Sequence, residues 1–267
     1  IEVDNFSSIQ KDIRNLHTRD FKDIDAVIDL AGISNDPSCD LDPIITNSIN
    51  HQGALHCAKT AKKAGVKRYI MASSCSIYGT GSDNELNENS QINPVSHYAK
   101  SKIDAERDIA QLSSQTFCVT FLRLATVYGL SLRMRFDLIV NIMTMHAYKS
   151  NSIIVLGGGK QWRPLVHIKD VATAFIKTLE ALTNKINGEA FNVGSNDQNY
   201  QVIRVANIIK SRLKNVNVVI APDDPDKRSY HVSFDKINNI LGFKTEYNLE
   251  LGIDQIHNAL LNGEIDS

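Results

Sequence analysis

The sequence lacks the features that mark several large classes of protein. Its 29 Lys and Arg residues are matched by 30 Asp and Glu residues, so the formal net charge is -1. The chain lacks the excess positive charge that would favour a nucleic acid polymer or an anionic membrane as its main partner. No apolar run approaches the roughly 20 residues of a membrane-spanning helix. The start, Ile1-Glu2-Val3-Asp4, does not resemble a secretory signal peptide.

Cysteine is also scarce. The four cysteines include no Cys-x-x-Cys pair, the spacing that zinc sites and redox motifs use. We therefore expect reduced thiols, no metal site and a cytoplasmic location. With 42% hydrophobic and 22% charged residues, the composition is that of a globular protein rather than a disordered, collagen-like or coiled-coil one. A chain of 267 residues can form one large domain or two closely packed ones.

Short apolar runs alternate with longer segments of helical period, which is the pattern of βαβ units and a parallel sheet. We predict strands at Ser8–Gln10, Ala26–Leu30, Arg68–Ser73, Phe117–Arg123, Ile153–Leu156, Leu165–Ile168, Ala190–Val193 and Val216–Ile220. We predict helices at Pro43–Ala64, Ser96–Ser113, Phe136–Lys149, Asp170–Leu182, Val202–Lys214, Phe234–Leu241 and Leu249–Leu261. The fold class is thus α/β with a doubly wound parallel sheet, whose ligands bind at the carboxyl ends of the strands.

Two polar segments stand out against this pattern. Ser73 and Ser74 follow a predicted strand, and Tyr98 and Lys102 lie four residues apart on a predicted helix, so that both side chains share one face. The pKa of a free tyrosine is about 10, so its phenol is a poor base at neutral pH. A lysine ammonium nearby favours the phenolate, so we expect Lys102 to lower the pKa of Tyr98 toward neutral pH. The Ser74 hydroxyl can then bind a substrate oxygen.

These residues resemble the extended short-chain dehydrogenase/reductase family, in the NAD-dependent epimerase/dehydratase branch that acts on nucleotide sugars. Further segments match the family in the right order along nearly the whole chain: Asp12-Ile13-Arg14, residues 25–32, Asn50-His51-Gln52-Gly53, residues 122–129 and residues 161–170. The resemblance implies a Rossmann-type NAD-binding lobe at 1–130 and 167–194, without its first strands. It also implies a smaller, interleaved α/β lobe for the nucleotide sugar at 131–166 and 195–267.

The resemblance also implies roles for individual residues. The catalytic residues would be Ser74, Tyr98 and Lys102. The NAD-binding residues would be Asp12, Ile13, Leu30, Ala31, Gly32, Ser34, Asn50, Ser73, Tyr98, Lys102, Leu124 and Val127. The residues that bind the nucleotide diphosphate sugar would be Ser74, Ser76, Thr126, Asn141, Gln161, Arg163 and Arg228. A homodimer is implied, through the predicted helices Pro43–Ala64 and Ser96–Ser113.

The Gly-rich loop that follows the first strand in this family has no counterpart in the sequence. Gly157-Gly158-Gly159 lies between two β-like runs with no following helix, which predicts a hairpin turn instead. We interpret Asp4 as a loop residue before the predicted strand Ser8–Gln10. NAD is favoured over NADP by the resemblance alone. If the chain is complete, we expect little dinucleotide affinity; if it is a piece of a longer protein, the interpretation as an enzyme stands.

Two positions bear on the reaction. Cys75 and Ser76 stand where the dehydratase members carry an Asp-Glu pair, which disfavours sugar dehydration. We predict a 4-epimerase, in which Tyr98 removes a hydroxyl proton while the sugar C4 gives hydride to the nicotinamide and later takes it back. A nucleotide-sugar 4-ketoreductase would use the same residues. A catalytically silent binding protein on this fold is the alternative from another class.

Four other residues are predicted to serve the fold. We expect Arg123 and a half-buried His167 to be structural, Cys75 to pack, and Asp170 to act as the N-cap of a helix. Two departures from the family leave the sugar open: Thr126 stands where epimerases commonly carry Asn, and His231 where related members often carry Arg.

Overall fold

The computed structural model describes residues 7–80, 85–222, 226 and 228–266. A four-stranded parallel sheet in the order β1-β2-β3-β7 forms its centre. Its strands are β1 (Ala26–Asp29), β2 (Arg68–Ser74), β3 (Cys118–Leu124) and β7 (Glu189–Val193). β3 is almost continuously buried and β2 has no exposed residue, as expected for parallel strands that have helices on both faces. The predicted α/β fold with a parallel sheet is confirmed.

Helices cover both faces of this sheet. On one face, α3 (Ala54–Lys63) and α4 (His97–Ala110) bury alanines and Ile109 against the sheet. On the other face, α6 (Ile168–Glu180) packs Val171 and Phe175 against the sheet. The small side chains on α3 and α4 let the helices approach the strands closely, which fixes where their polar residues emerge.

The segment before α3 is less regular than the single helix predicted over Pro43–Ala64. It consists of α1 (Asp36–Leu41), α2 (Pro43–Asn47) and a π-helical turn over Ser48–Gly53 that leads into α3. Asn35 and Asp42 cap α1 and α2 with their side chains, and each helix has a proline in its first turn. π-Helical turns often occur at functional sites, and this one contains Asn50.

Two smaller sheets lie beside the large one. The first has the order β4-β6-β8, and the second pairs β5 with β9 in parallel. Their strands are β4 (Thr126–Tyr128), β5 (Ser152–Leu156), β6 (Trp162–His167), β8 (Asn199–Gln201) and β9 (Asn217–Ala221). The accompanying helices are α5 (Ile139–Ser150), α7 (Thr183–Ile186), α8 (Val202–Arg212), α9 (Asp235–Leu241) and α10 (Leu249–Leu261).

Two further predictions of secondary structure are wrong, and two short strands were not predicted. Ser8–Gln10 is exposed and pairs with no described strand, because a segment with one apolar side chain, the 65% exposed Ile9, buries too little to form one. Gly157-Gly158-Gly159 forms a turn with positive φ, but β5 and β6 belong to different sheets, so it is not a hairpin. β4 and β8 were not predicted, since three-residue strands carry no clear alternation. Asp4 lies outside the described residues.

Asp170 and His167 differ from their predicted environments. His167 is the N-cap of α6 and is fully buried rather than half-buried, with its ring stacked 4.4 Å from that of Tyr247. Asp170 lies one turn further on and is buried, where its carboxylate accepts the backbone N–H groups of Glu246 and Tyr247. The two residues therefore tie the start of α6 to the segment before α10.

No helix in the described part of the chain combines the length and the hydropathy that crossing a bilayer requires.

Candidate active site

The carboxyl ends of β1, β2 and β3 open onto a cavity of about 1080 Å³. This volume is at the upper end of the range for small-molecule pockets. Leu30, Ser74 and Leu124 mark the three strand ends in its wall. Thr126 and Val127 continue this wall, and the opposite wall includes Arg135, Asp137, Leu138, Ile139, Arg163, Asp226, Arg228 and Tyr230. A cavity at this edge of a parallel sheet is where ligands bind in doubly wound folds.

Ser74, Tyr98 and Lys102 come together in this cavity. Tyr98 and Lys102 are one turn apart on α4, and the Lys102 Nζ atom lies 5.9 Å from the centre of the Tyr98 ring. The Tyr98 side chain is hydrogen-bonded to Ser74, whose Oγ atom also accepts the backbone N–H of Ser76. The Lys102 ammonium donates to the carbonyl of Ala72 at 2.9 Å. The convergence predicted from the spacing is therefore present.

The predicted lowering of the pKa of Tyr98 is wrong for the chain alone. Burial raises the pKa of Tyr98 to about 12, against the opposing effect of the Ser74 hydrogen bond. Burial also lowers the pKa of Lys102, which the charges of Asp29 and Glu106 oppose. The ammonium lies over the tyrosine ring and donates to Ala72 rather than to the phenol oxygen, so it does not offset the desolvation of Tyr98.

Asn50 fixes the loop after β1. Its Oδ1 atom accepts the backbone N–H of Ile33 at 2.7 Å, and its Nδ2 atom donates to the Ile33 carbonyl and to Ser101 Oγ. Glycine suits this close approach, because a Cβ atom at Gly32 would lie 3.0 Å from Asn50 Oδ1, which is tighter than most Cβ contacts. Asn50 therefore holds the loop against α4, and its amide is used for this support.

A buried ion pair lies behind the Ser73 and Ser74 strand end. Arg123 contacts both carboxylate oxygens of Glu106, with a shortest distance of 2.8 Å, and both side chains are less than 10% exposed. Glu106 also accepts the Ser73 hydroxyl, and Arg123 donates to Tyr78. Burial would lower the pKa of Arg123, but Glu106 raises it. Ser73 therefore lines the cavity with its hydroxyl turned to the protein interior.

The two arginines predicted to bind the diphosphate share one aspartate. Arg228 donates to Asp226 from Nε at 2.7 Å and from Nη2 at 2.6 Å, and Arg163 contacts the same carboxylate at 2.9 Å. Burial opposes the ionisation of Asp226, but Arg228 and Arg163 lower its pKa to about 2. Guanidinium groups suit diphosphate oxygens, and here an aspartate holds both of them beside the cavity.

Three consecutive loop residues join the two walls of the cavity. Ser34 Oγ accepts a hydrogen bond from Arg135 at 2.6 Å, and Asn35 donates to Asp137 at 2.7 Å. Asp36 accepts from Arg228 at 2.6 Å. The loop after β1 thus contacts the opposite wall at three points.

Most of the predicted binding residues line the cavity. Those in the wall are Leu30, Gly32, Ser34, Ser73, Ser74, Ser76, Tyr98, Lys102, Leu124, Thr126, Val127, Arg163 and Arg228. The predicted residues outside the wall are Asp12, Ile13, Ala31, Asn50, Asn141 and Gln161. Asp12 is exposed and paired with Arg14, which lowers the pKa of its carboxyl to about 2. Asn141 is buried and binds the backbone of Gly129 and Arg135.

The sequence prediction missed Asp36, Arg135, Asp137 and Asp226, all of which line the cavity. Asp226 lies two residues before the predicted Arg228, and this short spacing was a signal that the sequence offered. Asp36 lies two residues after Ser34, which was predicted to bind NAD. Cys75 is buried with its pKa raised by burial, which agrees with its predicted packing role. Among the described residues, no group of His, Cys, Asp and Glu has the arrangement of a metal site.

The comparisons with known proteins agree with this geometry. The model of the NAD dependent epimerase/dehydratase family matches residues 7–194. A putative UDP-glucose 4-epimerase of Methanocaldococcus jannaschii is 29% identical over 91% of this chain and 79% of its own length. A dTDP-D-glucose 4,6-dehydratase of Mus musculus is 28% identical over 77% of this chain and 59% of its own length. The solved structure of the UDP-glucose 4-epimerase of Thermotoga maritima has a TM-score of 0.86 at 22% identity, covering 96% of this chain and 84% of that one.

The chain belongs to the NAD dependent epimerase/dehydratase family. The fold and the resemblance predicted from the sequence are thereby confirmed, and the family's cofactor is NAD, as expected. The chain is an epimerase/dehydratase-type enzyme by its family and relatives. These relatives include both epimerases and dehydratases, so the particular reaction has to be argued from the site.

Proposed function

We propose that this protein is an NAD-dependent nucleotide-sugar 4-epimerase. The observation that carries the proposal is the convergence of Ser74, Tyr98 and Lys102 in a cavity whose other wall holds Arg163 and Arg228. A proton-transfer group and a diphosphate-binding pair then face the same space. A sugar joined to a diphosphate fits such a space, with the sugar toward Tyr98 and the diphosphate toward the arginines.

The residues present fit NAD in the part of the cavity next to β1 and β3. Leu30, Leu124 and Val127 provide apolar walls, and Gly32 leaves room beside the Lys102 ammonium. These residues, together with Tyr98, would hold the nicotinamide end. When bound, NAD supplies the hydride acceptor and a positive charge that favours the tyrosine phenolate.

The chain's own residues would perform the proton transfer. Tyr98 Oη would take the proton from the sugar hydroxyl and return it at the end of the cycle. Ser74 would orient the reacting oxygen through the hydroxyl that now bonds Tyr98. Lys102 would hold its charge near the tyrosine ring, anchored by Ala72.

Cys75 and Ser76 argue against dehydration within this family. Neither residue is a carboxylic acid, and the Cys75 thiol is buried with a raised pKa. Expulsion of water from the sugar needs an acid and a base that these positions do not supply. The epimerase proposal requires neither.

A homodimer and a cytoplasmic location complete the proposal. The helices α3 and α4 would pair with those of a second copy, and the exposed side chains of Leu41 and Ile44, at 87% and 83%, would add apolar contact beside them. The four cysteines are buried and unpaired, which suits a reducing compartment.

An assay of sugar interconversion tests the function. The purified protein is incubated with UDP-glucose or UDP-galactose and catalytic amounts of NAD, and the products are separated by chromatography. We expect interconversion of the two sugars without net formation of NADH. Stoichiometric consumption of NADH with a keto-sugar would support the 4-ketoreductase instead, and binding without turnover would support a silent binding protein.

A further inference from the structure

Two buried polar atoms in the described part of the chain have no hydrogen-bond partner: Asp36 Oδ1 and Ser76 Oγ. Both residues line the cavity. A buried acceptor without a donor costs on the order of 1–3 kcal/mol. Because both residues line the cavity, a ligand with hydroxyl groups could supply the missing hydrogen-bond partners.

Asp36 lies between the two functional ends of the cavity. Its Oδ2 atom accepts from Arg228, which marks the diphosphate end. Its charge also acts on Tyr98 at the reacting end, where it raises the pKa of the phenol while that of Arg135 lowers it. A sugar that extends from the arginines to Tyr98 therefore occupies a cavity whose lining includes the Asp36 carboxylate, next to Arg228.

The charge of Asp36 is held in place. Arg228 fixes Oδ2 at 2.6 Å, and Asn35 caps the helix that begins at Asp36. The Asp36 side chain is 26% exposed, so solvent screens its charge only in part. A second carboxylate placed against it would meet like-charge repulsion that the paired Arg228 offsets incompletely.

We propose that Asp36 is a specificity-determining residue, whose free carboxylate oxygen accepts a sugar hydroxyl and whose charge excludes uronic acids. The substrate class is thereby a nucleotide diphosphate joined to an uncharged hexose. This inference rests on the proposed function, because it assumes that a nucleotide sugar occupies the cavity.

Calorimetric titration of the NAD-saturated protein with UDP, UDP-glucose and UDP-glucuronate tests the inference. We expect UDP-glucose to bind about 10-fold or more tightly than UDP-glucuronate. Asp36→Asn keeps an acceptor oxygen and removes the charge, so this preference should fall several-fold, through tighter binding of UDP-glucuronate. Asp36→Ala removes both the acceptor oxygen and the charge, so the affinity for UDP-glucose relative to UDP should fall as well.

Asp254→Asn is the matched control. Asp254 is also paired with an arginine, Arg212, and its side chain is 35% exposed, but it lies outside the cavity wall, so its loss should leave the preference unchanged. Equal affinity for the two sugars in the wild type, or an unchanged preference in Asp36→Asn, would overturn the role of Asp36 alone. Failure of UDP and both sugars to bind would overturn the proposed function together with it. Binding with the expected preference but no epimerisation would overturn only the proposed reaction.

Discussion

Arg228 Nη1 lies 2.6 Å from Asp36 Oδ2 and joins two positions that are 192 residues apart. The same guanidinium donates to Asp226 from its other two nitrogens, Nε and Nη2. All three nitrogens of Arg228 are therefore engaged before any ligand arrives. Nη1 and Nη2 each carry a second N–H group, so an anionic ligand can accept from these donors while the aspartates orient the guanidinium.

Arg228→Lys should weaken the binding of UDP roughly 10- to 100-fold. Lysine keeps the charge but loses the planar fork that spans Asp226 and Asp36. Calorimetry with UDP measures the change. Arg212→Lys is the control, since Arg212 makes the same type of fork with Asp254 on an exposed surface. Equal UDP affinity in the two variants would mean that Arg228 pairs with Asp226 and Asp36 but does not bind the diphosphate.

Tyr98→Phe should lower the rate of sugar interconversion by about 10²- to 10⁴-fold. The ring remains to pack against Lys102, and only the proton-transferring hydroxyl is lost. Binding of NAD, followed by calorimetry, should stay within a few-fold of the wild type. Tyr148→Phe, at a 37% exposed surface position, should leave both quantities unchanged. A Tyr98→Phe protein with near-normal turnover would contradict the proposed base.

The ionisation of Tyr98 should depend on the bound cofactor. Burial raises its pKa to about 12, so the side chain is protonated at neutral pH and the phenolate fraction grows as the pH rises. The positive charge of oxidised NAD should lower that pKa by roughly 1–3 units. The tyrosinate absorbance of the wild type minus that of Tyr98→Phe, titrated with and without NAD, measures the shift. A midpoint that NAD does not move would rule out this electrostatic activation.

Glu106→Gln should lower the free energy of unfolding by about 3–5 kcal/mol, because it leaves Arg123 as a buried charge without its partner. Denaturation in urea measures this value. Asp254→Asn breaks the exposed pair with Arg212 and should cost less than about 1 kcal/mol. Similar losses in the two variants would show that the buried pair contributes no more than a surface pair.

Ile44→Glu should weaken the proposed homodimer without unfolding the chain. Ile44 is 83% exposed on α2, so a charged side chain there disturbs little within one copy. Light scattering across a concentration series should show a dimer for the wild type and a shift toward monomer for the variant. Leu182→Glu, at a 65% exposed position after α6 and outside the helices proposed to pair, serves as the control. A wild type that is monomeric throughout would remove the dimer from the proposal.

The parallel sheet and the convergence of Ser74, Tyr98 and Lys102 were predictable because their signals are local. A four-residue spacing places Tyr98 and Lys102 on one helix face, and the apolar run before Ser74 ends a buried strand. The irregular π-helical turn over Ser48–Gly53 was not predictable, because its pattern of apolar residues is that of an ordinary helix.

The electrostatics of the cavity could not be predicted from the sequence. The pKa of Tyr98 depends on burial by the complete fold, which the four-residue spacing to Lys102 does not reveal. The pairing of Arg135 with Ser34 spans 101 positions, and no short-range spacing encodes it. Asp36 has a helix-start sequence around it, which describes its backbone but not the guanidinium that it meets.

The contacts of Ser34, Asn35 and Asp36 place a constraint on loop length. Each of the three residues forms a hydrogen bond with a different partner in the opposite wall. The residue before them, Ile33, donates its backbone N–H to Asn50. Inserting or deleting one residue here would shift every side chain by one position and break all three contacts together. Relatives that share this arrangement should therefore tolerate changes of residue type in the loop more readily than changes in its number of residues.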